Sequence, residues 1–234
     1  MSLVLEARGV GKRYIGGDGS AITVLDGLDL AVEAGEFVAI VGASGAGKST
    51  LLHLLGALDA PTDGAIWLEG RDLATLSVEE KARTRNERVG FVFQFHHLLR
   101  DFTALENVMM PLLIAGVAAA DASARAQTVL ERLGLGARLG HYPGQLSGGE
   151  QQRAAVARAV ATAPAVVLAD EPSGNLDPAN AEILHQLFAS LRQQFDSAVV
   201  VATHNADLAR RADRVLRLEG GRLGSPHAAA GVLL

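Results

Sequence analysis

The chain of 234 residues contains no cysteine and no long apolar run. Without cysteine it can form neither a disulfide nor a thiolate metal site, which fits a reducing compartment. Its most apolar stretch, 109–120, is broken by Pro111 and Gly116 and is shorter than the roughly 20 residues that a membrane-spanning helix needs. Glu6 and Arg8 lie where a secretory signal would require an apolar core. These absences predict a cytoplasmic protein.

Basic charge is also in short supply, because the net charge is −5. A protein that coats nucleic acid would carry a basic excess instead. Hydrophobic residues make up 49% of the chain and charged residues 20%, a composition too apolar for a disordered polymer. The composition therefore predicts one globular domain over residues 1–234, with no nucleic acid as a partner.

Hydrophobic periodicity divides the chain into two kinds of strand. Segments 3–8 and 22–32 alternate apolar and polar residues, which predicts two half-buried strands of an N-terminal antiparallel sheet. Continuous apolar runs indicate strands buried on both faces, and such runs alternating with helical patterns predict a parallel sheet. The predicted buried strands are 37–42, 88–93, 165–169 and 198–202, and the predicted helices are 49–58, 150–163 and 178–195.

The segment 94–145 has helical patterns and no good strand, so we interpret it as a helical lobe inserted in the sheet domain. Segments 1–93 and 146–224 then form an α/β core, and 225–234 is a loosely specified tail.

The stretch 42–49, GASGAGKS, matches the phosphate-loop pattern G-x-x-x-x-G-K-[ST]. It follows a predicted buried strand and opens a predicted helix, which is the context that the pattern requires. Its backbone N–H groups can surround phosphates, Lys48 supplies a positive charge and Ser49 can bind Mg²⁺. The sequence therefore predicts a P-loop nucleoside triphosphatase.

Polar residues follow two further buried strands. Asp170 can reach the metal ion held by Ser49, and Glu171 can orient or deprotonate a water molecule. An acidic pair at the end of a strand is more often merely solvated, but the phosphate loop reverses those odds. His204 follows another strand, and ligands of open parallel sheets bind at the edge formed by the carboxyl ends.

The segment 146–153, LSGGEQQR, opens a predicted helix. Ser147 and Glu150 have the S-x-x-E spacing of a capping box, which by itself is only a structural feature. A capped helix start with two glycines is also an anion site, and the chain already has one for its own triphosphate. The two interpretations are compatible, and the second raises the question of which phosphate this site serves.

Together, LSGGEQQR, the phosphate loop, Gln94 after a strand, the segment 169–177 (ADEPSGNLD) and His204 resemble the ATPase subunits of ABC transporters. The resemblance extends over residues 3–223. It implies that two such subunits bind ATP head to tail, with Ser147, Gly148 and Gly149 contacting the ATP held by the other subunit. It also implies a crossing loop at 173–177, where this chain has Ser173 in place of the usual threonine.

The resemblance assigns the remaining site residues. Tyr14 would stack on adenine, Gln94 would contact metal and water, and His204 would contact the γ-phosphate. The implied ATP-binding residues are Tyr14, Gly42, Ser44, Gly45, Ala46, Gly47, Lys48, Ser49 and Thr50. The implied Mg²⁺ ligands are Ser49, Gln94 and Asp170, and the implied catalytic residues are Glu171, His204 and Gln94.

Two adjacent segments, 94–99 (QFHHLL) and 102–108 (FTALENV), resemble the lipoprotein-releasing LolD type of these ATPases. That resemblance implies LolC/LolE-like integral membrane subunits as partners and a peripheral location on the cytoplasmic face of the bacterial inner membrane. It also implies that the segment after Gln94 faces the membrane subunits. An ATPase of a macrolide- or peptide-type exporter, or of the FtsE cell-division complex, is the alternative.

Other classes explain less of the sequence. An ABC ATPase that acts on DNA would carry a coiled-coil or zinc-bearing insertion before LSGGEQQR. A P-loop GTPase or small-molecule kinase would leave LSGGEQQR unexplained, and the guanine-reading pattern Asn-Lys-x-Asp is absent. A noncatalytic regulator of the same fold would differ only in its partner.

Overall fold

The computed structural model describes residues 2–17 and 19–224, so the predicted tail lies outside the described residues. The strands are β1 (Leu3–Ile15), β2 (Ala21–Glu33), β3 (Phe37–Val41), β4 (Asp63–Leu68), β5 (Arg71–Asp72), β6 (Val89–Phe93), β7 (Val166–Asp170), β8 (Ala198–Ala202), β9 (Arg214–Glu219) and β10 (Arg222–Leu223). The α-helices are α1 (Lys48–Leu55), α2 (Val78–Arg88), α3 (Ala104–Ile114), α4 (Ala119–Arg132), α5 (Gly148–Val160), α6 (Pro178–Phe195) and α7 (Ala206–Ala209). Short 3₁₀ helices occupy Leu73–Thr75, Gly136–Arg138 and Pro143–Gln145.

The larger sheet has six strands in the order β10-β9-β3-β8-β7-β6. Strands β9, β3, β8, β7 and β6 run parallel, and only β10 is antiparallel. All residues of β3 and β8 are buried, as continuous apolar runs require when both faces of a sheet are covered. The predicted mixed, mainly parallel α/β sheet is therefore confirmed.

The smaller sheet is antiparallel, with the order β2-β1-β4-β5. Its first two strands are longer than the predicted segments 3–8 and 22–32. Their register shifts between Ala7 and Val10, next to Gly9 with φ 59°. Such a bulge changes which residues face the core and interrupts the alternation, so the sequence pattern ended before the strand did.

Helix α1 lies between the two sheets. Leu51, Leu54 and Leu55 are at most 1% exposed and belong to one hydrophobic cluster with Leu5 of β1 and Ile40 of β3. Burying each leucine contributes about 2 kcal/mol, so the helix joins the two sheets into one core. Its N-terminus consequently lies at the carboxyl edge of β3.

The predicted helical part is confirmed: α3 and α4 pack against α5, and a second hydrophobic cluster extends from them to the larger sheet. Within the described residues no strand interrupts 94–145. In that same part of the chain, no helix is long and apolar enough to span a membrane.

Candidate active site

The phosphate-loop segment 42–49 connects β3 to α1, as the sequence predicts. Gly47 precedes the helix with φ 100° and Gly45 has φ 78°, a left-handed region that favours glycine. A Cβ on Gly42 would lie 2.4 Å from the carbonyl oxygen of Leu218, so the loop passes close to β9. No side chain caps α1, which leaves its first N–H groups for a ligand. Ser44 and Ser49 are exposed, and Thr50 is half-buried.

Lys48 is only 8% exposed and points back across the loop. Its Nζ donates to the carbonyl oxygens of Gly42 at 2.9 Å and of Ala43 at 3.2 Å. The same Nζ lies 3.8 Å from Oε1 of Glu171. The loop lysine and the acid at the end of β7 are therefore neighbours.

Glu171 takes φ 45° directly after β7, and its N–H donates to the carbonyl oxygen of Ala202 at 2.9 Å. Its Oε2 accepts from Thr203 Oγ1 and from the N–H of His204, both at 3.2 Å. His204 Nδ1 lies 2.9 Å from Oε1. Three donors from the end of β8 thus fix the carboxylate, while its side chain is 17% exposed. Asp170, the last residue of β7, is beside Phe93 and Ala202 in the sheet register.

Gln94 follows β6 and reaches the turn after Glu171. Its Nε2 donates to Asn175 Oδ1 at 3.0 Å, and Asn175 Nδ2 lies 3.4 Å from the carbonyl oxygen of Gln94. A Cβ on Gly174 would be 3.0 Å from Gln94 Nε2. Gln94 thus remains exposed, and its side chain is bonded to the predicted crossing loop.

The segment after Gln94 is held by α5. Arg158 donates to the carbonyl oxygens of His97 at 2.7 Å and His96 at 3.0 Å, and Gln152 Nε2 donates to the carbonyl oxygen of Phe93. Burial lowers the pKa of His96, and the nearby charges of His97 and Arg158 act in the same direction. Helix α5 therefore links LSGGEQQR at its start to this segment near its end.

An apolar groove of about 280 Å³ lies beside this segment. Of its lining residues, Leu99 is 42% exposed and Ile114 at the end of α3 is 67% exposed. Phe95, in the same segment as Leu99, is 62% exposed. Polar residues such as Arg85 and Arg158 also line the groove, but most of its surface is apolar. The apolar side chains that line the groove are Val89, Phe91, Phe93, Leu99, Met110, Pro111, Ile114 and Ala159.

The predicted capping box at LSGGEQQR is confirmed. Ser147 Oγ accepts from the N–H of Glu150, and the Glu150 carboxylate accepts from the N–H of Ser147 at 2.8 Å. The hydrogen bond from the N–H of Ser147, together with one from Arg138 Nε at 2.8 Å, lowers the pKa of the Glu150 carboxyl to about 2. Within the described residues none of these hydrogen bonds reaches the phosphate loop of the same chain. Gly148 has room for a Cβ, which would meet only Leu176 Cδ2 at 3.9 Å, whereas Gly149 packs against Asn180 at the start of α6.

Tyr14, near the end of β1, is 41% exposed. Its hydroxyl donates to Asp59 Oδ2 at 3.0 Å, and Lys12 Nζ lies 4.9 Å from the ring centroid. Burial raises the pKa of Asp59, but hydrogen bonds from Lys12, the N–H of Ala60 and Tyr14 outweigh it, so the net pKa is lowered. The ring is therefore held in place from one side.

The sequence reasoning gave no role to Lys12, Asp59 and Thr203, which support the predicted site residues Tyr14 and Glu171. It included Asn175 only as part of the crossing loop, and it did not identify Arg158, which holds the backbone at 96–97. Lys12 stands out as one of only three lysines, but that scarcity does not indicate what it contacts. Arg158 and Asp59 carry no signal in a single sequence, because their partners are distant along the chain.

Comparisons with known proteins agree with the resemblance to ABC ATPases. The sequence model of the ABC transporter family matches residues 25–174. A "Lipoprotein-releasing system ATP-binding protein LolD" of Pseudomonas syringae pv. tomato is 53% identical over 220 residues, 94% of this chain and 96% of that protein. The protein of the same name from Xylella fastidiosa is 53% identical over 94% of this chain and 91% of its own.

Solved structures show the same fold. The dimeric structure of a post-hydrolysis state of an ATP-binding cassette, bound to ADP and Pi, has a TM-score of 0.87 and 36% identity. That comparison covers 97% of this chain and 100% of the other. A dimeric bacterial ABC transporter cassette has a TM-score of 0.88 and 37% identity over the same shares.

Proposed function

Since the chain belongs to the ABC transporter family, we propose that it is the ATP-hydrolysing subunit of a transporter that releases lipoproteins from the bacterial inner membrane. The observation that carries the hydrolytic part is the cluster in which Lys48 and His204 both meet the carboxylate of Glu171. The relatives described above bear the name of the lipoprotein-releasing system, and no observation favours the exporter or cell-division alternative.

The chemistry of the donor set fits ATP with Mg²⁺. The uncapped start of α1 and the ammonium of Lys48 suit the β- and γ-phosphates, because backbone N–H groups and a point charge attract anions. The Ser49 hydroxyl, the Asp170 carboxylate and the Gln94 amide oxygen are the oxygen ligands that Mg²⁺ prefers. When bound, Mg²⁺ neutralises charge that develops on the phosphate oxygens. Tyr14, fixed by Asp59, offers its ring to adenine.

In the proposed reaction the oxygen of a water molecule bonds to the γ-phosphorus, the bond from that phosphorus to the bridging oxygen of ADP breaks, and a proton of the water moves to Glu171. Its carboxylate accepts a proton from the attacking water, and His204 and Thr203 hold it in the orientation needed for that transfer. Lys48 Nζ lies between the Glu171 carboxylate and the carbonyl oxygen of Gly42 in the phosphate loop. It is therefore positioned to stabilise negative charge on the γ-phosphate. His204, whose side chain is 73% exposed, is available to contact that phosphate as well.

A complete site needs a second copy of the chain. Ser147, which precedes Gly148 and Gly149 at the start of α5, is bonded to Glu150 of that helix and not to the phosphate loop of its own chain. We place them against the ATP of the other copy, where the start of α5 offers N–H groups to the γ-phosphate. The proposed assembly is a head-to-tail homodimer with two ATP molecules between the subunits.

The groove lined by Leu99 and Ile114 is the proposed docking site for the membrane subunits, which we take to be LolC/LolE-like. It is mainly apolar and open to solvent, and Arg158 of α5, which lines it, also holds the backbone of His96 and His97. The chain would thus be a peripheral protein on the cytoplasmic face of the inner membrane.

The test is reconstitution. The chain, copurified with its membrane subunits, is placed in liposomes loaded with a lipoprotein, and transfer to a soluble periplasmic carrier is measured with ATP and Mg²⁺. We expect ATP-dependent release by the wild type and none by Glu171→Gln, assembled to the same level. A wild-type complex that hydrolyses ATP without releasing lipoprotein would contradict the lipoprotein assignment, and absence of hydrolysis would contradict the enzymatic one.

A further inference from the structure

Ser173 and His185 form a buried polar pair next to the catalytic cluster. Ser173 lies two residues after Glu171 and is 7% exposed, and His185 on α6 is 2% exposed. His185 Nε2 lies 3.0 Å from Ser173 Oγ. None of the roles proposed above uses this histidine, although both residues line a polar pocket together with Glu171 and His204.

The pair fixes the 171–177 turn to the body of α6. The N–H of Gly174 donates to the carbonyl oxygen of Glu171 at 3.0 Å, and the N–H of Leu176 to that of Ser173 at 3.2 Å, so the turn closes on itself. One side-chain contact, Gln94 to Asn175, connects it to β6. The Ser173 hydroxyl connects it to α6, two turns into the helix.

The surroundings of His185 select one tautomer. Nδ1 is buried and has no partner among the described residues. With the proton on Nε2, the ring donates to Ser173 Oγ and leaves only an acceptor unpaired, whereas a proton on Nδ1 would leave a buried donor unpaired. His185 is therefore the donor of this hydrogen bond.

Charged groups around the ring keep it neutral. Burial lowers the pKa of His185, and the positive charge of Arg211 lowers it further, against the opposite effect of Glu182 and Asp207. Arg211 is itself paired with the Glu182 carboxylate through Nη2. The neutral Nε2–H donor is consequently the form present at neutral pH.

We propose that His185 is a positioning residue for ATP hydrolysis: through Ser173 it holds the 171–177 turn so that Glu171 stays beside Lys48 and His204. This inference rests on the proposed ATPase function. His185 does not touch the phosphate loop or the Tyr14 ring, so its loss should affect the chemical step and leave ATP binding unchanged.

The test is a double-mutant cycle in the full chain, measured as steady-state ATPase activity with Mg²⁺. His185→Leu should lower kcat about fivefold, the effect expected from one lost hydrogen bond, with KM for ATP within about twofold of wild type. Ser173→Ala should have a similar effect, and the double variant should be no slower than either single variant. His185→Gln, whose Nε2 can donate from the same place, should recover most of the rate.

Gln186→Leu is the matched control, because Gln186 is the exposed neighbour on α6 and bonds only within that helix. It should leave kcat unchanged. A merely structural role for His185 would lower the unfolding midpoint without a kcat change at a temperature where all variants are folded.

Full kcat in His185→Leu, additive losses in the double variant, or no recovery in His185→Gln would each overturn the proposal. If His185→Leu does not fold, the Ser173→Ala variant tests the proposal instead. A lowered kcat in Ser173→Ala supports the proposal, and a wild-type kcat overturns it. A wild-type chain with no ATPase activity would instead contradict the proposed function itself.

Discussion

Replacing Gly149 by alanine should destabilise the protein, whereas the same change at the adjacent Gly148 should not. A Cβ on Gly149 would lie 2.1 Å from Asn180 Oδ1, 2.5 Å from Cγ and 3.0 Å from Cβ of that residue. Rotation of the amide removes the first two contacts but not the third, so α5 and the start of α6 must also move apart. A Cβ on Gly148 meets only Leu176 Cδ2, at 3.9 Å.

The magnitude follows from these contacts. Overpacking costs about 1–3 kcal/mol. Rotating Asn180 also breaks its 2.6 Å bond from Nδ2 to Asp177 Oδ2, which contributes about 1 kcal/mol. The higher helix propensity of alanine returns up to about 1 kcal/mol. We therefore expect Gly149→Ala to lower the free energy of unfolding by about 2 kcal/mol, and Gly148→Ala to raise it by about 0.5 kcal/mol.

Urea unfolding followed by circular dichroism measures both values in parallel. For a chain of this size the loss at Gly149 corresponds to a Tm decrease of about 4–8 °C. Equal stability of the two variants would refute the reasoning, because it would mean that LSGGEQQR and the start of α6 are not packed as closely as the structure has them.

Three further predictions address the site. Lys48→Ala should weaken ATP affinity by at least about 30-fold, because a hydrogen-bonded and largely buried charge is lost; calorimetry showing a change under twofold would contradict this. The Glu150 pKa of about 2 lies below the ordinary 4.5, so its stabilising contribution is present above pH 4.5 and is lost as pH falls toward 2. Glu150→Gln should therefore flatten the dependence of unfolding free energy on pH in that window, and an unchanged slope would exclude Glu150 as its source. Replacing His96, His97 and Leu98 together should spare ATP binding but abolish lipoprotein release from the reconstituted complex, and normal release would exclude this segment as the coupling surface.

The continuous apolar runs made the parallel sheet predictable. Each strand buried on both faces shows such a run, and the predicted bounds of β8 and α6 coincide with the observed ones. Helix α2 was missed because it has no buried residue and hence no apolar periodicity, although Ser77 and Glu80 form a capping box. Strand β9 was missed because Arg214 and Arg217 interrupt its apolar residues.

For the site, motifs located the phosphate loop and the acid after β7, because each contains several residues close together in the sequence. The contacts that orient these residues join distant segments, as His185 to Ser173 and Arg158 to His96 do. Tertiary packing alone creates those pairs, so a single sequence contains no trace of them.

The central claim, that two copies of this chain enclose ATP, is tested most directly by the mass of Glu171→Gln in solution. This variant keeps Lys48 and the phosphate loop but cannot accept the proton of the attacking water, so ATP should persist in the site. Light scattering during size exclusion should give twice the monomer mass with ATP and Mg²⁺, and the monomer mass when Ser147→Arg blocks the facing helix start. A Glu171→Gln chain that is saturated with ATP yet remains monomeric would contradict the account.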